Sequence, residues 1–127
     1  AVGYNYRLPN LNAALACAQL ESLGPILSSK RQLAEAYGRF FETHGIGFKL
    51  ERPGTTANYW LNTVVLESQQ QRDEFLAFTN DRKVMTRPAW RPLNDSAIFQ
   101  DSQCGPLENT YWLADRVVNV PSSARLV

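Results

Sequence analysis

Three short stretches of the sequence contain most of the side chains that suit ligand binding: residues 3–14, 85–93 and 116–123. They combine amide, guanidinium and indole groups, which contact phosphates, carboxylates and flat rings. No Gly-rich phosphate loop is present, because the glycines are scattered along the chain. The only histidine, His44, lies at the predicted end of a helix and has no serine and aspartate arranged around it as a catalytic triad requires. The chemistry-bearing residues therefore indicate binding rather than a complete catalytic centre.

The first stretch places an amide and a guanidinium two residues apart, at Asn5 and Arg7. In an extended segment, side chains two residues apart point the same way. The amide N–H groups of Asn5 suit a phosphate oxygen, and the guanidinium of Arg7 suits a phosphate or a carboxylate. The alternatives are that Asn5 is a turn residue and that Arg7 forms a surface ion pair.

The second stretch presents a cation and an aromatic ring beside prolines. Pro88 favours an extended conformation for Arg87, at the end of a predicted strand where a loop begins. In that place the guanidinium of Arg87 suits a phosphate or a carboxylate, and the indole of Trp90 suits stacking on a ring of a ligand. The alternative is that Trp90 is a core aromatic. Trp60 and Trp112 lie inside predicted regular elements and are assigned to the core.

Composition excludes several classes of protein. The chain has 127 residues, a hydrophobic fraction of 44% and a net charge of +1. It is therefore one domain at most, with no electrostatic case for nucleic acid and no apolar run long enough to span a membrane. Cys17 and Cys104 are isolated and do not complete a metal site with His44. They are typical of reduced thiols in a cytoplasmic protein.

Hydrophobic periodicity and turn residues predict helices at residues 25–43 and 70–81, preceded by an alanine-rich helix that begins near Asn10 and followed by a helix opened by Pro106. Gly45 is expected to end the second helix in a left-handed conformation. Strands are predicted at 59–66, 84–86 and 117–120. This order predicts a two-layer α/β domain, with a small three-stranded sheet and helices on one side.

The three stretches together resemble a known family. A G-x-N-x-R segment at residues 3–7 precedes an alanine-rich helix that ends in Gln-Leu at 19–20, and T-R-P at 86–88 and N-x-P-S at 119–122 follow in order. This arrangement resembles the DegT/DnrJ/StrS family of pyridoxal-phosphate (PLP) dependent nucleotide-sugar aminotransferases. The resemblance covers essentially the whole chain.

The resemblance implies the C-terminal small domain of an aspartate-aminotransferase-like fold. Residues 1–24 would be an interface segment and helix, and residues 25–127 the small α/β domain. The large domain, with PLP and the lysine that binds it covalently, would lie outside this chain. The three lysines, Lys30, Lys49 and Lys83, are expected to be solvated, because a lysine that binds PLP needs a desolvated pocket beside the cofactor. No catalytic residue is therefore expected here.

The resemblance also implies roles for the candidate residues. Asn5 would contact the PLP phosphate of a partner subunit in a homo-oligomer, and Arg7, Arg87 and Trp90 would contact the substrate. The family's histidine shortly after the T-R-P segment is replaced here by Asn94.

The whole enzyme would transfer an amino group from an amino acid such as glutamate to a keto-sugar nucleotide for surface-glycan biosynthesis, and the truncated chain alone would be inactive. Two alternatives stay open. One is a non-catalytic module that self-associates through the alanine-rich helix. The other is an unrelated α/β protein that binds a phosphorylated metabolite through Asn5, Arg7 and Arg87.

Overall fold

The computed structural model describes residues 6–125. Its regular elements, in chain order, are α1 (Asn10–Glu21), α2 (Leu23–Thr43), β1 (Gly47–Phe48), β2 (Asn62–Val65), α3 (Gln69–Asp81), β3 (Arg87–Pro88), a 3₁₀ turn (Leu93–Asp95), α4 (Glu108–Ala114) and β4 (Val117–Val120). None of the helices within these residues is both long and apolar enough to cross a bilayer.

The strands form one antiparallel sheet in the order β1-β2-β4-β3. Successive side chains alternate between its two faces. Val64 and Val118 are fully buried on the core face, and Phe41 of α2 packs there with them. Thr63 and Asn119 lie on the opposite face and are half-buried. We call this second face the open face.

An aromatic cluster fills the core between α2 and the sheet. The ring of Phe41 lies 5.9 Å from that of Tyr37 and 5.8 Å from that of Phe48 in β1, measured between centroids. Leu66 and Val120 complete the buried group. Phe40, the residue before Phe41 on α2, is exposed and lies against the His44 ring at the helix end.

The end of α2 follows the predicted cap. Gly45 has φ +67°, the N–H of Ile46 donates to the carbonyl of Phe41, and the N–H of Gly45 donates to that of Glu42. This is a Schellman motif, which satisfies carbonyls that the helix leaves without partners. His44 Nδ1 lies 2.7 Å from the carbonyl oxygen of Phe40. The His44 side chain therefore contacts the last turn of α2.

The α/β architecture is confirmed, but the sheet of the described residues has four strands rather than the three predicted. β1 is only two residues long, too short to carry a periodic signal. The strand predicted at 84–86 lies instead at Arg87–Pro88. The segment before β3 binds the end of α3: the N–H of Val84 donates to the carbonyl of Thr79, and Asn80 Nδ2 donates to the carbonyl of Thr86. These bonds use groups that a longer strand would need for its ladder.

α1 makes little contact with the rest of the domain. None of its residues is buried, and Leu11, Leu15 and Leu20 are 81%, 62% and 65% exposed. Only Ser22 separates α1 from α2. A helix with apolar residues on all sides is normally covered on all sides, so this helix presents a surface suited to contact with other protein.

Candidate ligand-binding surface

An ion pair fixes the loop that joins β1 to β2. Arg31 of α2 binds Glu51 through two hydrogen bonds, with Nη1 to Oε1 at 2.6 Å and Nη2 to Oε2 at 3.3 Å. The same carboxylate accepts the backbone N–H of Ala57 at 2.8 Å. The guanidinium carbon of Arg31 also lies 5.4 Å from the centre of the Tyr59 ring. These contacts hold both ends of the loop against α2.

The electrostatics of this clamp follow from the same contacts. The hydrogen bond from Arg31, followed by that from the Ala57 N–H, lowers the pKa of the Glu51 carboxyl below its ordinary value. The carboxylate in turn raises the pKa of Arg31. Both groups stay charged near neutral pH, so the charge of Glu51 is balanced locally.

The clamped loop presents Trp60 to solvent. Tyr59 has φ +45° and is buried, and the residue after it turns outwards. Trp60 is 63% exposed, and its ring centroid lies 5.8 Å from that of Trp90, which is 70% exposed. The assignment of Trp60 to the core is therefore wrong. Trp90 is also not a core residue of the part of the domain formed by residues 6–125. Trp112 is also exposed, with the Arg116 guanidinium 4.6 Å from its ring centre.

Arg87 lies in β3 directly opposite Asn119 of β4. Residues opposite each other in an antiparallel pair share a face, so Arg87 and Asn119 both lie on the open face. Both border a shallow depression of about 320 Å³ with Leu61, Met85 and Ser123. Arg87 Nη2 donates to Met85 Sδ at 3.4 Å, which is a weak acceptor for a guanidinium. The side chain is exposed and suited to an anionic ligand.

The predicted site residues do not converge on one cavity. Trp90 borders a second depression, of about 580 Å³, with Arg91, Asp95 and Tyr111, and Arg87 does not border it. Arg7 is exposed just before α1 and borders neither depression. Asn5 lies outside the described residues.

Asn94 is part of a hydrogen-bond network at the second depression. Its Nδ2 lies 2.5 Å from the Tyr111 hydroxyl oxygen, and that hydroxyl donates to Asp95 Oδ1 at 2.8 Å. Arg91 Nε lies 3.8 Å from the other carboxylate oxygen. Asn94 is therefore held by neighbouring side chains, and the network supports the loop that carries Trp90.

The three lysines occupy unlike positions. Lys30 is half-buried and donates to the carbonyl of Ser122 at 2.5 Å, which ties α2 to the segment after β4. Lys49 is exposed at the edge of the sheet. Lys83 is exposed and has φ +63° in the turn after α3.

Cys17 and Cys104 are free and exposed. Within residues 6–125, no group of three or more His, Cys, Asp or Glu side chains is arranged to hold a metal ion.

Sequence reasoning missed the contribution of β1 to this surface. The N–H of Lys49 donates to the carbonyl of Thr63 at 2.9 Å, which extends the β1–β2 ladder by one residue. The Thr63 hydroxyl donates to Asn119 Oδ1 at 2.9 Å. A β-ladder partner cannot be read from a two-residue strand, so Lys49 carried no signal in the sequence.

Curated relatives are similar over nearly all of the chain. A GDP-perosamine synthase of Vibrio cholerae is 33% identical over 128 residues, which is 95% of this chain and 34% of that protein. A GDP-perosamine synthase of Escherichia coli O157:H7 is 28% identical over 123 residues, with 95% of this chain and 33% of that protein covered. The chain thus spans about a third of the length of these relatives.

Solved structures share the fold. A DegT/DnrJ/EryC1/StrS aminotransferase from Brucella abortus superposes with a TM-score of 0.85 at 18% identity, over 99% of this chain and 34% of that one. DesV of S. venezuelae superposes with a TM-score of 0.84 at 25% identity, over 100% of this chain and 34% of that one. The small antiparallel sheet with its helices is therefore the arrangement found in about a third of each of these two chains.

The match to a family model extends over residues 1–127 of this chain. The model of the DegT/DnrJ/EryC1/StrS aminotransferase family matches residues 1–127, which includes the G-x-N-x-R segment and the T-R-P segment. Together with the shared fold, this match over the whole chain shows that the chain belongs to the DegT/DnrJ/EryC1/StrS aminotransferase family.

Proposed function

We propose that this chain is the C-terminal small domain of a nucleotide-sugar aminotransferase about three times its length. Residues 1–24 then form the interface segment and helix, and residues 25–127 the small α/β domain. The observation that carries this proposal is the family match over residues 1–127 in a chain that covers only a third of its relatives. The exposed apolar surface of α1 supports it, because such a surface needs a covering partner.

The reaction we propose is transfer of an amino group from an amino acid such as glutamate to a keto-sugar nucleotide, for surface-glycan biosynthesis. Two curated relatives are named GDP-perosamine synthase, which favours a GDP-linked sugar as the acceptor. The enzyme is proposed to work in the cytoplasm, in keeping with two free, exposed cysteines.

PLP is the cofactor we propose for the whole enzyme, where it would carry the amino group between donor and acceptor. The lysines of this chain do not fit its covalent site. That site needs an enclosed pocket that lowers the pKa of the lysine, whereas Lys49 and Lys83 are exposed and Lys30 is bound to a carbonyl. We therefore expect the chain alone to be inactive. Asn5 is proposed to contact the PLP phosphate of a partner subunit.

Substrate contact is proposed for Arg7, Arg87 and Trp90. Arg87 supports this role best, since the residue is exposed on the open face and its guanidinium donates to the thioether of Met85, which is a weak acceptor. The exposed Trp60–Trp90 pair offers ring faces for a sugar or a base.

The test is an amination assay on the longer protein that contains this chain, with glutamate and a GDP-linked keto sugar. Arg87→Ala is expected to raise KM for the nucleotide sugar roughly tenfold or more, since a charge-assisted hydrogen bond is lost. Arg39→Ala removes the same charge from the exposed surface of α2 and serves as the matched control. Absence of amination by the unsubstituted protein, with PLP supplied, would count against the proposal.

Self-association is a second candidate function, favoured by the exposure of α1. The same surface would pair subunits in the whole enzyme. We expect the isolated chain to form oligomers at high concentration, measured by size exclusion with light scattering. Leu15→Glu on α1 is expected to give a monomer, while Ile98→Glu, at a residue that is also exposed but lies outside α1, is expected to leave the oligomer intact. A wild-type chain that stays monomeric would exclude this function.

A further inference from the structure

Four polar side chains form a row straight across the sheet. Thr63 lies opposite Asn119, and Asn119 lies opposite Arg87. The ladder bond from Lys49 to Thr63 adds β1 to the same register. Since directly opposed residues share a face, the order Lys49–Thr63–Asn119–Arg87 runs across all four strands on the open face. The hydrogen bond between Thr63 and Asn119 joins its two central members.

The row lies along two adjoining surface depressions, which are taken together below as the depression. Lys49 and Thr63 border one part, and Asn119 and Arg87 border the other. Leu61 borders both parts, so the two adjoin at this residue. Trp60 stands at the margin of the first part, where its exposed ring is available to a ligand.

The charge of this depression is positive. Lys49 and Arg87 stand at the two ends of the row, and Arg52 borders the part next to Lys49. Among residues 6–125, Glu51 is the one carboxylate that borders either part, and Arg31 already balances its charge. A ligand that fills the depression therefore meets uncompensated positive charge.

The spacing of the row fits a ligand with more than one negative charge. The two cationic residues are three strand spacings apart, which is about 14 Å between backbones. Both have long side chains that can lean towards the centre of the row. There the Thr63 hydroxyl donates to the Asn119 oxygen and so fixes the orientation of the amide. The N–H groups of the same amide can then donate to a ligand. A single carboxylate would engage one end only, whereas a diphosphate lies over the centre and meets both.

We propose that the Lys49–Thr63–Asn119–Arg87 row binds the diphosphate of the nucleotide-sugar substrate, with the base or sugar towards Trp60. The identity of this occupant rests on the proposed function. The proposal adds Lys49 and Asn119 as binding residues to Arg87.

Calorimetric titration of the 127-residue chain with GDP tests the row directly. Lys49→Ala and Arg87→Ala are each expected to weaken GDP binding roughly tenfold, and Lys49→Arg to restore it. Asn119→Asp places a negative charge at the centre with little change in shape and is expected to abolish binding. Arg39→Ala, on the opposite layer, is the charge-matched control and is expected to bind GDP normally. Circular dichroism of each variant checks that it is folded.

The proposed diphosphate site would be refuted by no GDP binding to the folded wild-type chain, by equal weakening in Arg39→Ala, or by tighter binding of PLP than of GDP at the same residues. Guanosine without phosphate is expected not to bind, and its binding with equal affinity would also refute a diphosphate site.

The amination assay of the longer protein separates this proposal from the proposed function. Normal amination with an unchanged KM for the nucleotide sugar in Lys49→Ala would refute the diphosphate site alone. It would mean that other parts of the enzyme cover the row. No amination in the presence of row-dependent GDP binding would refute the proposed function alone.

Discussion

A buried asparagine in β2 gives the sharpest test of the energetics of this fold. Asn62 is fully buried on the core face, where it lies opposite Val120. Within residues 6–125, neither its amide nitrogen nor its amide oxygen has a hydrogen-bond partner. A buried polar group without a partner loses its bonds to water and gains none in exchange. Asn62 is therefore expected to destabilise the domain.

Replacement of Asn62 by valine should stabilise the protein. Valine suits a strand and matches the buried Val64 and Val118 beside it. Removal of an unsatisfied buried amide is worth about 1–3 kcal/mol in the free energy of unfolding. For a domain of this size, that corresponds to a rise in Tm of roughly 4–12 °C.

The assay is urea unfolding of the chain, monitored by circular dichroism. The slope of the unfolding free energy against urea concentration is compared between variants. Asn119→Val is the matched control, because it makes the same substitution one ladder position away on the open face. There the asparagine oxygen accepts from Thr63, so the control is expected to be neutral or to lose up to about 1 kcal/mol. A loss of stability in Asn62→Val with an unchanged slope would refute the reasoning, since it would mean that the amide has a partner such as a buried water.

Three further predictions concern the core, the helix end and the loop clamp. Phe41→Ala removes the centre of the aromatic cluster and should cost about 3–5 kcal/mol in urea unfolding; a loss below about 1 kcal/mol would show that the cluster is not the core. Gly45→Ala should cost about 1 kcal/mol because φ is +67°, whereas Gly105→Ala, at a non-helical glycine with equally open surroundings and no positive φ, should be neutral or slightly stabilising; equal effects would contradict this account. Glu51 has a folded-state pKa below its ordinary 4.5, so its contribution to stability is complete above about pH 4.5 and is lost as the pH falls through the folded-state pKa. Urea midpoints of Glu51→Gln between pH 7 and 3 should lack this loss, and a pH profile identical to wild type would contradict the clamp.

The elements that the sequence predicts best are those with a strong local cause. The end of α2 follows from Gly45, which reaches a left-handed conformation without a steric cost. β4 matches residues 117–120, where β-branched residues stand between a helix end and Pro121. Here local preference and tertiary packing agree.

The elements that were missed depend on contacts between distant residues. β1 exists because Gly47 and Phe48 pair with Val65 and Val64, and nothing in two residues reveals such a pairing. β3 starts late because Thr86 is bound to the end of α3.

The candidate site shows the same division between local and distant causes. Arg87 and Trp90 were predicted from their motif, whereas the exposure of Trp60 follows from the Arg31–Glu51 clamp and the backbone of Tyr59. Lys49 joins the row only through the ladder bond to Thr63, so its position required the three-dimensional structure.

The central claim is that the covalent chemistry of the enzyme lies outside these 127 residues. The direct measurement is to mix the chain with PLP, reduce with borohydride and map the labelled lysines by mass spectrometry. We expect slow, partial labelling that does not saturate at Lys30, Lys49 or Lys83, and stoichiometric labelling of one lysine outside this chain in the longer protein. Rapid, stoichiometric labelling of a single one of these three lysines in the isolated chain would contradict the account.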